Sequence, residues 1–208
     1  MAVITEIEKT NKNKGNMYNV YIDGDLLGLC HIEAIVKNGL SKGRDVDIEH
    51  IKSVLYESNK LVALEQSIKY LSKTLKTEKE MRSNLVQKGF ENSIIDTVIE
   101  KLKEYKYIDD VRYVESFKNA SKTKGLYRIR FELKQKGVSE EILQECLSDE
   151  EDDMEQVLVV ARKYMRNKEV NIKNLHKLYQ HLLSRGFGYD ISNNVINIIK
   201  EEMQGEME

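Results

Sequence analysis

The 208-residue chain has no proline and no tryptophan, and only two cysteines and four histidines. Without proline, helix can follow helix with no backbone donor removed, and the loops must be punctuated by glycine, Asn, Asp and Ser. Cys30 and Cys146 lie far apart in apolar surroundings, which excludes a disulfide framework and fits a reducing compartment. Cys30 stands beside His31, but neighbours on a strand face opposite ways, so a buried structural cysteine is expected rather than a nucleophile. His31, His50, His176 and His181 form no metal-ligand pattern. The chain lacks an apolar run long enough to span a bilayer, and its N-terminus turns acidic at once. A cytoplasmic protein with no membrane contact is expected. Formal net charge is only -2, so there is no overall pull toward nucleic acid. Lys42-Gly43-Arg44 lacks the spacing of a phosphate-cradling loop. Asp109-Asp110 sits where a helix starts and is explained by N-capping. No catalytic residue, metal ligand or cofactor is expected, and the chain does not read as an enzyme.

What the chain does have is charge and repetition. Hydrophobic residues make up 40% and charged residues 33% of it, with helix formers abundant. The first thirty residues stand apart. Val3, Ile4 and Ile7 lead into the polar stretch Asn11 to Asn16. Met17 to Ile22, the turn Asp23-Gly24 and Leu26 to Cys30 then predict a small β-hairpin. Ile32 to Lys37 predicts a short helix stopped by Asn38-Gly39, and a linker with Gly43 leads to helix from about Asp47.

From Leu61 one unit recurs three times. Met81–Gly89, Ile129–Gly137 and Leu178–Gly186 align without gaps, and their glycines are spaced by 48 and 49 residues. Each window places apolar residues four apart (Met81/Leu85, Ile129/Leu133, Leu178/Leu182) and ends in a cation followed by glycine, the signature of a helix C-terminus with a left-handed cap. Five and nine residues past each glycine stand Ile94 and Val98, Ile142 and Cys146, Ile191 and Val195. Ser93, Ser139 and Asp190 are the expected caps of these following helices, and Thr77 with Glu80 predicts a capping box. Leading helices are expected over about Leu61 to Ser72, Asp109 to Lys122 and Met154 to Arg166. The fold class is therefore mainly α: three tandem three-helix repeats stacked into an elongated curved solenoid, with a small N-terminal β-hairpin element and short helices. No unit is expected to bury its stripe alone. The boundaries are 1–60 for the N-terminal part and 61–107, 108–149 and 150–208 for the repeats. The acidic run Asp149 to Asp153 reads as a solvated linker that favours the following helix start.

Basic residues cluster at matching places in the second and third units. Lys122, Lys124, Arg128, Arg130, Lys134 and Lys136 face a single acid, Glu132, between them, and Arg162, Arg166 and Lys168 lie in the second cluster. Stacked repeats would line these up as a positive stripe able to follow a phosphate backbone or an acidic protein surface. Tyr127 and Tyr164, among these cations, suit stacking on bases but at helical spacing are more often core.

Tyr107-Ile108-Asp109-Asp110, then Tyr113 and Phe117, Lys124-Gly125, Arg128-Ile129, Glu132-Leu133 and Lys136-Gly137 resemble the signature of RecX regulatory proteins. Tyr70-Leu71 ahead of Thr77 to Glu80, Leu85 ahead of Lys88-Gly89-Phe90, and Tyr21 to Asp25 with Gly39 to Gly43 extend the resemblance over essentially the whole chain. The third unit departs most, with Ser192 where the others have Ile95 and Leu143. The resemblance implies a modulator, mainly an inhibitor, of RecA recombinase. It would bind the groove of the RecA–single-stranded DNA filament and restrain ATP hydrolysis, strand exchange and coprotease activity. A monomer is expected. Two rivals stand beside this: a helix-turn-helix-like reader of duplex DNA, and a helical-repeat scaffold for another protein.

Overall fold

The computed structural model describes residues 2–10, 16–148 and 151–205. Most of the Asn11 to Asn16 stretch, and Asp149 and Glu150 of the acidic run, lie outside the described residues. The chain divides into two compact units, Met1–Asp109 and Asp110–Glu208. No described helix is long and apolar enough to cross a membrane.

The first unit opens with strands β1 (Ala2–Lys9), β2 (Met17–Ile22) and β3 (Asp25–His31), helix α1 (Ile32–Lys37) and the short strand β4 (Asp45–Val46). The expected hairpin is present as β2 and β3, but it belongs to a larger antiparallel sheet of order β3-β2-β1-β4. Asp23 and Gly24 both take positive φ, 51° and 95°, as a two-residue hairpin turn requires. Asp23 Oδ1 accepts from the Val3 N–H at 3.0 Å and Thr5 Oγ1 from the Gly24 N–H at 3.0 Å, fastening the turn to β1. Helix α2 runs unbroken from Ile48 to Leu71, so the leading helix expected from Leu61 continues the segment expected from Asp47. No glycine or proline interrupts these residues. The Ser58 hydroxyl accepts from the His31 N–H at 3.1 Å, and the Asn59 amide donates to the Leu29 carbonyl at 2.8 Å, docking α2 on β3. Cys30 is fully buried there, and burial pushes its thiol up.

Helices α3 (Glu78–Gln87) and α4 (Asn92–Glu104) complete the first repeat with α2. Helices α5 (Asp110–Ala120), α6 (Leu126–Gln135) and α7 (Glu140–Leu147) form the second, and α8 (Met154–Met165), α9 (Ile172–Ser184) and α10 (Tyr189–Gly205) the third. The apolar pairs of the central helices are all buried. Gly89, Gly137 and Gly186 take φ of 83°, 88° and 88°. The buried residue after each, Phe90, Val138 or Phe187, donates its N–H to the carbonyl of Leu85, Leu133 or Leu182 at 3.2–3.3 Å. These are Schellman ends.

Three expectations change. Each repeat closes a core of its own, centred on Met81/Leu85, Ile129/Leu133 and Leu178/Leu182, because the third helix of each triplet covers the stripe. In α7 the buried pair is Leu143 and Leu147, one residue past the half-buried Ile142 and Cys146. Of the expected caps, Ser139 accepts from the Ile142 N–H, and the Thr77–Glu80 box is present. Helix α4, however, starts at Asn92 after Glu91, with no side-chain cap bond, and Asp190 lies within the first turn of α10 rather than before it. Ser192 is fully buried with its hydroxyl unpartnered, the polar flaw its departure from Ile95 and Leu143 introduces.

Candidate partner interface

Six of the nine basic residues singled out in the sequence belong to α6 and its two ends. Lys124 and Arg128 share Glu132, at 2.5 Å and 2.7 Å. Arg130 and Lys134 share Glu140, Lys134 at 3.2 Å. Their hydrogen bonds hold both carboxyls below the usual range, Glu132 chiefly through Lys124 and Glu140 chiefly through Arg130. Lys136 Nζ stands 6.0 Å from the centre of the Tyr113 ring. Lys122, in the loop before α6, is exposed and makes no ion pair among the described residues. Two cations share one acid in each of these two groups, so in each the positive charges outnumber the negative.

The remaining three are placed apart from these. Arg162 forks onto Glu202, at 3.1 Å and 2.5 Å. Arg166 is the exposed C-cap of α8. Lys168 Nζ lies 3.0 Å from the centre of the Tyr164 ring, which also stacks on the His181 ring with centroids 4.5 Å apart. Burial, with Arg185 and Lys168 nearby, holds His181 below its usual pKa. Tyr164 is thus half-buried, as expected of a core tyrosine, whereas Tyr127 is 71% exposed.

The sequence did not reveal what holds α6 in place. Its N-cap is Gly125, which has no side chain to offer. The third repeat supplies the acceptors. Gly125 N–H donates to the Arg185 carbonyl at 3.0 Å and Tyr127 N–H to the Gly186 carbonyl at 3.2 Å. Leu126 N–H donates to Asp152 Oδ1 at 2.8 Å, while Asp152 Oδ2 accepts from the Gly188 N–H, just before α10, at 3.0 Å. Arg185 Nη1 donates to the Thr123 carbonyl at 3.2 Å, and its Nε to His181 Nε2 at 3.2 Å. Asp152 therefore bridges two helix starts rather than idling in a solvated linker, while Asp153 caps α8 as expected. Within an acidic run, composition alone did not distinguish Asp152 from its neighbours.

The backbones meet so closely that a Cβ on Gly125 would strike the Gly186 carbonyl, and one on Gly186 would strike the Arg128 backbone. With every N–H at the start of α6 engaged, its cations project from a helix fixed at both ends.

Comparison with known proteins covers nearly the whole chain. Residues 2–47 match the regulatory protein RecX N-terminal domain, and residues 63–102, 109–147 and 150–196 match the first, second and third three-helix domains of RecX. The regulatory protein RecX of Clostridium botulinum (strain Alaska E43 / Type E3) is 37% identical over 213 residues, covering 99% of each chain. That of Clostridium perfringens (strain 13 / Type A) is 37% identical over 203 residues, covering 94% of this chain and 95% of its own. A crystal structure of regulatory protein RecX superposes with a TM-score of 0.65 over 95% of this chain and 100% of its own; at 23% identity it attests the fold. A crystal structure of RecX from Lactobacillus salivarius gives a TM-score of 0.61 at 27% identity over 67% of this chain and 95% of its own. Four consecutive domain matches in the right order, with relatives alike from end to end, establish that the chain belongs to the RecX family of regulatory proteins.

Proposed function

We propose that the chain regulates RecA recombinase, mainly as an inhibitor, by binding the RecA–single-stranded DNA filament as a monomer in the cytoplasm. Occupancy of the filament groove would restrain ATP hydrolysis, strand exchange and coprotease activity, with no chemistry of its own. The observation that carries this reading is the run of four RecX domain matches along the whole chain. The contact surface assigned to it is α6 with its two ends, carrying Lys122, Lys124, Arg128, Arg130, Lys134 and Lys136, with Arg162, Arg166 and Lys168 as a second patch. Two cations to each acid along one fixed helix suit a phosphate backbone or an acidic protein groove.

The direct test is single-stranded-DNA-dependent ATP hydrolysis by the host's RecA, titrated with this protein. Inhibition at or below equimolar ratio supports the reading. Unchanged hydrolysis and filament lifetime overturn it and favour the duplex reader or the scaffold. Within that assay, Arg128→Glu plus Lys136→Glu is expected to weaken inhibition roughly tenfold or more with helicity kept, and the loss should grow as salt is lowered. Inhibition indifferent to both salt and this double reversal would remove the electrostatic part.

A further inference from the structure

The outward face of α6 carries rings as well as cations. Tyr127 is 71% and Phe131 55% exposed, one turn apart. On the helical wheel Phe131 falls about 40° to one side of Tyr127, with Lys134 and Arg130 about 20° and 60° to the other. The equivalent positions of the other central helices hold Lys79 and Ser83, and His176 and Gln180, so the paired carbon rings are particular to α6. A third exposed ring, Tyr189 at 69%, belongs to the start of α10. Tyr127 and Tyr189 line one cleft of about 670 Å³ between the second and third repeats, together with Arg130, Asn194, Glu151 and Asp190. The junction made by Asp152, Gly125 and Gly186 fixes both sides of this cleft.

Rings held in the open beside cations match a single nucleic-acid strand, whose unstacked bases offer π-faces and whose phosphates follow a positive groove. The carboxylates assign the polarity. Glu151 and Asp190 repel phosphate from the cleft and accept hydrogen bonds from exocyclic amino groups, while Arg130 and Lys134 sit on the α6 side. We propose that the cleft receives an unstacked amino-bearing base of a single strand, stacked against the rings of Tyr127 and Tyr189. Phe131 is the next stacking step along α6, and Arg130 and Lys134 meet the phosphates. This rests on the reading of α6 as a filament contact and deepens it: the chain touches bases as well as charge. A duplex, its bases paired and stacked, does not enter.

The test uses the full chain without recombinase. Binding is followed by anisotropy of two labelled strands of about twelve nucleotides, one of deoxyadenosine and one abasic, alike in length and charge. Quenching of tyrosine emission gives a second readout in a chain without tryptophan. The deoxyadenosine strand is expected to bind about tenfold or more tighter. Tyr127→Ala with Tyr189→Ala should bring it to the abasic level, while Tyr127→Phe keeps most of the difference. Equal affinity for the two strands overturns the base site, as does a double variant that weakens both strands alike. A double variant that binds deoxyadenosine normally yet no longer inhibits the recombinase makes the face a protein contact and overturns it too. Equal strand affinities in a chain that still inhibits RecA sink the base site alone. Ring-dependent binding by a chain without effect on RecA sinks the filament reading and leaves the base site standing.

Discussion

The starts of α3 and α6 occupy the same place in their repeats and are held by opposite means. Helix α3 serves itself: Thr77 Oγ1 accepts from the Glu80 N–H, and Glu80 Oε2 from the Thr77 N–H, each at 3.2 Å. Its Arg82 pairs with Glu78 at 2.7 Å and Asp96 at 2.5 Å, and Lys103 reaches Glu78 at 2.8 Å, all inside the first repeat. Helix α6 begins at a bare glycine and takes its acceptors from Asp152, Arg185 and Gly186. The same unit can be closed in itself or completed by its neighbour. A helix completed by its neighbour folds and unfolds with it, so the second and third repeats should behave as one cooperative piece.

The largest effect should come from one methyl group placed in each setting. Gly89 and Gly186 share the left-handed conformation, at 83° and 88°. Alanine at Gly89 meets open space, so only the conformational penalty of about 1 kcal/mol applies. Alanine at Gly186 meets the Arg128 backbone, which has no way to yield without parting the repeats. Its total cost should be about 3 kcal/mol. Amide exchange in urea should show α6 and α9 opening together in Gly186→Ala, with α3 unchanged. Equal losses for the two alanines would mean that the junction contributes nothing beyond the turn.

Removing the acceptors should have the next largest effect. Thr77→Ala should cost about 1 kcal/mol. Asp152→Ala strips two helix starts of a charged acceptor and should cost about 2 kcal/mol, read as a lower melting midpoint for the Asp110–Glu208 unit. Asp152→Asn, with one oxygen left, should fall between. A loss at Asp152 no greater than at Thr77 would reduce the bridge to an ordinary cap.

What the sequence disclosed and withheld follows the range of each interaction. The glycine ends, the Thr77–Glu80 box and the Asp23-Gly24 turn join residues within six positions of one another, and a periodic pattern exposes them. The bond from Leu126 to Asp152 spans 26 residues and that from Arg185 to Thr123 spans 62, so nothing in local spacing marks them. Asp152 also sits inside an acidic run, where its neighbours mask it. The β1 strand was missed for the same reason: its partners are set by the sheet, and the bulge between Ile4 and Glu6 breaks the alternation that marks a strand. For the cations, charge and position were plain in the sequence. Their pairing with Glu132 and Glu140, and the exposure of Tyr127, Phe131 and Tyr189, needed the wheel of α6 and its neighbours fixed in space.

The smallest predicted effect separates the two settings by pH. His181 occupies the place that Asn84 holds in the first repeat. Its Nε2 accepts from Arg185, the residue that reaches Thr123 and whose carbonyl takes the Gly125 N–H. Burial first, then Arg185 and Lys168, depress its folded pKa, so the unfolded chain binds the proton more readily. The stability this contributes is fully present above the unfolded histidine value, about 6.5, and is lost as pH falls from there through the folded value. Protonation replaces the acceptor with a cation facing Arg185, and the junction loosens. The α3 box is made of Thr77 and Glu80 and contains no histidine. Burial raises the Glu78 carboxyl, but the bonds from Lys103 and Arg82 outweigh it and hold it low, so its pairs with Lys103 and Arg82 outlast the histidine range. Protection of the Gly125 and Tyr127 amides, corrected for the intrinsic pH dependence of exchange, should therefore fall as pH drops below about 6.5, with Glu80 unaffected. His181→Gln, which keeps an acceptor without the charge, should abolish the pH step. A step that survives in His181→Gln, or appears equally in α3, would detach the junction from this histidine.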